Sequence, residues 1–181
     1  MSKTCLVFIA DGSEDMEAVT SCDILRRGEV KVTICGLDKE IVECSNGTKV
    51  VCDTIVSKVK EKIYDMIVVP GGLLGVDNIG KNEDAVSLIK NHVEHEKFIA
   101  AICAAPTLLV KLKLFQGKKA TCYPALAKEF GDHFEYQEKK VVQDGKLITS
   151  QGPSTAVNFG LELIENLTGK KEKVSKEILF S

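Results

Sequence analysis

The chain has 181 residues, enough for one full-sized core, and its 44% hydrophobic and 28% charged residues are those of an ordinary globular protein. A formal net charge of −2 gives no electrostatic pull toward nucleic acid or an anionic membrane surface. Seven cysteines, an odd number with no C-x-x-C pair, argue against a disulfide scaffold and against a structural zinc site.

The first apolar run, residues 4–10, predicts a strand. It is too short for a signal-peptide core or a membrane span, which points to a cytosolic protein. Asp11-Gly12-Ser13 then turns into a helix over 14–27, with Ser13 as N-cap and Glu14, Asp15 and Glu17 in a first turn that suits the helix dipole. Residues 31–36 form a second strand. Asn46-Gly47 is a two-residue turn signal between strands at 40–45 and 48–53. Residues 65–69 are an apolar strand that ends in the glycine-rich turn Pro70-Gly71-Gly72-Leu73-Leu74-Gly75. A helix over 84–94 leads to the strand that stops at Cys103, and a further helix starts near Pro106. Beyond it lie a strand at 119–122, a short helix near 126–130, strands near 139–142 and 147–150, and a helix over 155–167 closed by Gly169. One more short helix fits within 172–180.

Three of these strands are apolar throughout rather than alternating, the pattern of parallel strands covered on both faces. Strands alternate with helices along one domain, 1–181, so the expected architecture is an α/β sandwich with a mostly parallel central sheet. Sites in such sheets lie beyond the carboxyl ends of the strands. Four strand-end loops, 11–17, 70–75, 103–106 and 150–155, converge there if their strands are neighbours.

Cys103 is the most informative residue in these loops. Its place in a tight strand-to-helix turn resembles a nucleophile elbow, and nearby helix N-terminal amides would lower a thiol pKa. A small buried core cysteine is the alternative reading. Glu17 could face Cys103 as a carboxyl of raised pKa that hydrogen-bonds the sulfur or moves a proton; a solvated first turn is the alternative. Backbone amides of the 70–75 turn could line an oxyanion hole. His92 and His95 lie on one charged helix face, read as solvated rather than as metal ligands, and His133 reads as an exposed loop residue. With no histidine placed beside Cys103, a cysteine protease is a poor fit.

Five stretches together resemble the ThiJ/PfpI superfamily, and within it the DJ-one branch, the Parkinson-associated deglycase and chaperone family. They are LVFIADGSEDME at 6–17, DILRRGEVKV at 23–32, DMIVVPGGLLG at 65–75, IAAICAAPT at 99–107 and ITSQGPST at 148–155. The resemblance implies a flavodoxin-like three-layer sandwich, a homodimer, a cytoplasmic or nuclear location, and no cofactor or metal. It makes Cys103 the oxidisable nucleophile and Glu17 the protonated carboxyl beside it. Gly71, Gly72 and Ala104 fall on the positions of the oxyanion amides, and Arg27 on an arginine of an anion pocket. Cys44 and Cys52 match the family's other cysteines. Three positions depart from its pattern. Tyr123 stands where a histidine is common, and a tyrosine titrating near about 10 cannot replace imidazole as a base at neutrality. Asn46 replaces a second anion-pocket arginine, and Gln151 stands at a further arginine position. Cys122, beside Tyr123, is a conceivable resolving thiol. The implied activity is a cofactor-free glyoxalase or protein deglycase acting on a small reactive aldehyde such as methylglyoxal or on its adducts. The alternative is an oxidative-stress sensor and redox-regulated chaperone with little turnover.

Overall fold

The computed structural model describes residues 2–180. A seven-stranded sheet forms its centre. The strands are β1 (Thr4–Phe8), β2 (Lys31–Gly36), β5 (Thr54–Ile55), β6 (Met66–Val69), β7 (Phe98–Ile102), β10 (Val141–Asp144) and β11 (Leu147–Ser150), in the spatial order β10-β11-β7-β6-β1-β2-β5. All pairs are parallel except β10 with β11. The helices are α1 (Asp15–Arg27), α2 (Leu73–Lys81), α3 (Glu83–Glu94), α4 (Ala105–Lys111), α5 (Ala156–Thr168) and α6 (Lys171–Glu177). Two small sheets flank the main one: the hairpin β3 (Ile41–Glu43) with β4 (Lys49–Val51), and β8 (Lys119–Ala120) with β9 (Glu135–Tyr136). This is the α/β, flavodoxin-like fold, with helices on both faces of a mostly parallel sheet.

The period of two along each strand divides the core. Leu6, Phe8, Ile67, Val69, Ile99 and Ala101 face α2, α3 and α4, whereas Cys5, Val7, Ile9, Met66, Val68, Ala100 and Ile102 face α1, α5 and α6. Both faces of β1, β6 and β7 are therefore buried, which is why these strands read as continuous apolar runs. Each fully buried aliphatic or aromatic side chain stabilises the fold by roughly 1.5–3 kcal/mol.

Several local expectations are corrected. Helix α1 is capped by Glu14, not Ser13; the Ser13 hydroxyl is buried and accepts from the Ala10 amide instead. The 70–75 segment is not only a turn. Gly72 caps α2, and Gly75 sits inside that helix because a Cβ there would lie 2.6 Å from the Ser13 nitrogen. The β3–β4 connection spans residues 44–48; the Cys44 amide donates to the Thr48 carbonyl across it, and Gly47 alone has positive φ and donates to the Cys44 carbonyl. Strand β10 lies two residues beyond its expected span, because its register with β11 is set by the Gly145-Lys146 turn. His92 is buried, not solvated. Its Nε2 accepts from the Tyr64 amide at 2.9 Å, and its Nδ1 faces the Leu88 carbonyl at 2.7 Å. His133 is half-buried, with Nε2 at 2.7 Å from the Leu114 carbonyl.

Candidate active site

Strands β1, β6, β7 and β11 are successive parallel neighbours, so the four loops that follow them meet at one sheet edge. The chain leaves β1 toward β2 on one side and β6 lies on the other, which makes β1/β6 the topological switch point. Glu17 and Gly71 come from these two strands' loops, and Cys103 joins them from the end of β7.

Cys103 has φ of 63°, the left-handed region that non-glycine residues rarely enter. The strain is held by neighbours on both sides. The Cys103 amide donates to the Ser150 carbonyl at 2.9 Å, and the Tyr123 amide donates to the Cys103 carbonyl at 2.9 Å. The elbow turns the thiol out of the sheet, so Cys103 is partly accessible while the other six cysteines are buried.

Glu17 projects inward from the first turn of α1 and is fully buried. Its Oε2 accepts from the Gly71 amide at 2.7 Å. Its Oε1 is enclosed without a hydrogen-bond partner among the described residues, a setting that favours a neutral carboxyl over a charged one. A Cβ on Gly71 would lie 2.6 Å from both Cys103 Cβ and Glu17 Oε2 and 3.1 Å from the sulfur, so only glycine lets the two side chains converge.

The electrostatics follow from this enclosure. Burial pushes the Glu17 carboxyl up to about 7; the Gly71 amide opposes the rise, the charge of Glu14 adds to it, and the Cys103 thiol opposes it. Burial also pushes the Cys103 thiol up to about 12, and the charge and hydrogen bonding of Glu17 add to that, against the amides of Gly72 and Ala104. The sequence reading expects a depressed thiol pKa. The amides do act in that direction, but burial and an ionised Glu17 outweigh them. Glu17's upward push exists only while Glu17 is charged. Once Glu17 carries the proton, its O–H becomes a donor, and the thiolate and the neutral carboxyl support each other.

The three oxyanion candidates divide their work. Gly71 commits its amide to Glu17, whereas the Gly72 and Ala104 amides face the sulfur. A family model described as the DJ-1/PfpI family matches residues 3–166 of the chain. The chain belongs to the DJ-1/PfpI family. It is 40% identical over 185 residues to Protein dj-1beta of Drosophila melanogaster, covering 100% of this chain and 99% of that protein. The crystal structure of Drosophila melanogaster DJ-1beta matches with a TM-score of 0.97 over the whole of both chains. "Toxoplasma gondii DJ-1, oxidized" matches at 36% identity and a TM-score of 0.95, over 99% of this chain and 100% of that one. The chain is 32% identical over 172 residues to the Caenorhabditis elegans protein named "Glutathione-independent glyoxalase DJR-1.2", covering 94% of this chain and 91% of that protein.

Within this DJ-1/PfpI chain, the remaining site expectations fare differently. Tyr123 borders the elbow: its amide holds Cys103, and its half-exposed ring stands beside Gly152, where a Cβ would meet Tyr123 Cδ2 at 3.5 Å. Cys122 points away, packed in the core on the α2–α4 face, while Cys103 packs against the opposite half; its thiol donates to the Tyr123 carbonyl at 3.4 Å. Arg27 ends α1, ten residues beyond Glu17 and about 15 Å along the helix. There it pairs with Asp23 at 2.8 Å and is not brought to Cys103 within one chain. Glu14 is the neighbour of Glu17 that sequence reasoning did not single out. Its position three before Glu17, the spacing of an N-cap to N3, was the available signal.

Proposed function

We propose that the protein is a cofactor-free glyoxalase or protein deglycase in which Cys103 is the nucleophile and Glu17 moves the proton. The observation that carries this reading is the buried Glu17 carboxyl, raised to about 7 and converging with an accessible thiol on the flank of Gly71. A carboxyl poised near neutrality both gives and takes a proton under working conditions. The Cys103 thiolate adds to the aldehyde carbon of methylglyoxal, and the resulting alkoxide takes up a proton to give a hemithioacetal. The Gly72 and Ala104 amides support the developing oxyanion. Glu17 removes the proton from the former aldehyde carbon and returns it to the neighbouring carbon. The first carbon reaches the thioester oxidation level as the ketone becomes an alcohol, so no external oxidant is needed. Water cleaves the C–S bond, releasing lactate and the thiol. Glycated thiols or amines enter by the same attack.

A second reading shares the same atoms: a redox sensor with chaperone output, in which Cys103 is oxidised to the sulfinic acid and a protonated Glu17 hydrogen-bonds the product. It is favoured by the contrast between one accessible thiol and six buried ones. One experiment tests both. Lactate formation from methylglyoxal is expected in the wild type and lost in Cys103→Ser and Glu17→Gln; turnover retained in either variant overturns the enzyme mechanism. In parallel, intact mass after mild peroxide is expected to show two added oxygens on Cys103; modification spread over other cysteines overturns the sensor.

The proposal extends to one domain over 1–181 acting as a homodimer in the cytoplasm or nucleus. Exposed Met16 and Val19 on α1, with Ile41 and Val51 on the adjoining β3–β4 hairpin, supply apolar surface for a second copy. Reduced, buried thiols suit a reducing compartment. Sedimentation equilibrium is expected to give twice the chain mass, and a monomer at micromolar concentration overturns the dimer.

A further inference from the structure

Three hydrogen bonds close a ring beside Cys103. The Glu14 amide donates to the Gly71 carbonyl at 3.0 Å, the Gly71 amide donates to Glu17 Oε2 at 2.7 Å, and the Glu17 amide donates to Glu14 Oε2 at 2.8 Å. From this ring we propose that Glu14 is a positioning residue for the Cys103–Glu17 pair, holding the Glu17 carboxyl against Gly71 and biasing it by its own charge toward the protonated form. The inference rests on the pairing of Cys103 with Glu17 under Proposed function and deepens it.

Capping alone does not call for a glutamate here. N-caps favour Asn, Asp, Ser, Thr and Gly, whose shorter side chains or bare backbone suit the position. Ser13 next door is unavailable, since its hydroxyl is committed to Ala10. Glutamate has the reach to fold back onto the Glu17 amide while its backbone, in extended conformation with φ −74° and ψ 126°, meets Gly71. The fit is close: a Cβ on Gly72 would lie 2.8 Å from the Glu14 nitrogen. The ring thus ties the two ends of the site, the α1 cap and the β6 turn, through both backbone and side chain of one residue.

The charge acts in the useful direction. The titratable groups that act on Glu17 are Glu14 from its own cap and Cys103 from the elbow, and the 70–72 turn contributes only the Gly71 amide. Helix α5, packed on the same helix, meets it through an apolar contact of Gly160 with Ile24. A negative Glu14 disfavours a second negative charge three residues on, and so keeps the shared proton on Glu17 and the negative charge on sulfur.

The test is the pH dependence of Cys103 alkylation by iodoacetamide, read by intact mass, which needs no turnover. The first adduct reports Cys103 because the other thiols are buried. Glu14→Gln keeps a capping oxygen and removes the charge; Glu17 then gives up its proton more readily, less thiolate forms at a given pH, and the midpoint is expected to move to higher pH by about half a unit or more, with a melting temperature close to wild type. Glu14→Asp, which keeps both charge and cap, is expected to retain the wild-type midpoint. Glu14→Ala is expected to lose both, with a shifted midpoint and lower stability. A Glu14→Gln midpoint equal to wild type overturns the inference. Glu17→Gln is the reference: if it leaves the Cys103 profile unchanged, the pair itself fails and this inference with it. If Glu17→Gln changes the profile and Glu14→Gln does not, only the role of Glu14 is lost. A protein that shows the Glu14→Gln shift but makes no lactate keeps the inference and overturns the enzyme reading.

Discussion

At the scale of single residues, the candidate site holds a strained backbone at Cys103. Glu29, Glu96, Lys113 and Leu179 also have positive φ, each just past a helix, where a left-handed residue is common, and Phe115 has it in the loop that follows α4. Cys103 is different, because it takes that conformation at the end of a buried strand. A left-handed non-glycine residue costs about 1–2 kcal/mol. Cys103→Gly is therefore expected to be more stable than Cys103→Ala by about 1 kcal/mol, measured by urea denaturation. An alanine variant as stable as the glycine variant would remove the strain from the account. The sequence did point to Cys103, since the apolar run, the single thiol and the following proline mark an elbow on their own. It could not show that the Gly71 amide is spent on Glu17, because that depends on where the β6 turn lies against α1.

At the scale of elements, the β3–β4 hairpin is pinned to the start of α1 by one carboxylate. Asp15 accepts from the Asn46 and Thr48 amides at 2.9 and 3.1 Å and from the Ser45 hydroxyl and the Asn46 side chain at 3.3 Å each. Desolvation works against its charge, but the hydrogen bonds from Thr48 and Asn46 hold the carboxyl down at about 2. Its folded value lies below its ordinary one, so the clamp is fully present above about pH 4 and is lost as pH falls toward 2. Asp15→Ala is expected to cost about 1 kcal/mol and to speed hydrogen exchange at Asn46 and Thr48. Unchanged exchange there would mean that the hairpin is held by other contacts. Helix α2 is the element least legible in the sequence. Gly75 and Gly80 lower its propensity, and Gly75 is demanded by the Ser13 backbone, which approaches only in the folded chain. The long apolar strands and the glycine-terminated α5 were legible, because burial on both faces and the left-handed cap leave a pattern in one dimension.

At the scale of the whole molecule, the Cys103 elbow and the buried His92 sit at opposite ends of the sheet. Cys103 lies past the carboxyl end of β7; His92, near the end of α3, is buried toward the other edge, where the chain enters β6 and β7. Burial holds the His92 pKa below its ordinary value, with the hydrogen bond to Leu88 opposing the shift. Its Nε2 already receives a hydrogen bond from Tyr64, so a proton there would set donor against donor. The unfolded chain binds this proton more readily than the folded one. The stability that a neutral His92 contributes is therefore complete above the unfolded value near about 6.5 and erodes as pH falls below it. Between pH 7 and 5 protonation of Glu17, whose carboxyl is raised to about 7, acts in the opposite direction, so the His92 contribution is read as a difference: His92→Leu, though about 1–3 kcal/mol less stable than wild type at pH 7, is expected to narrow that gap as pH falls to 5. Equal slopes in urea titrations would place the acid sensitivity elsewhere.

Among the described residues no helix is long and apolar enough to cross a membrane, and the α/β character, the parallel core strands and the strand-to-helix elbow at Cys103 were all determined by the sequence alone. These properties are written in local order: which residues are apolar, at what period, and what ends each run. The tertiary structure alone decided the partners of Cys103. Packing places Glu17, Gly71 and Glu14 in one hydrogen-bonded ring and turns Cys122 into the opposite core half. The contact of Gly71 with Glu17 joins positions 54 residues apart, and no periodicity within a segment encodes it. The same packing sets the protonation of the pair, because desolvation is a property of the enclosing fold and not of the residue.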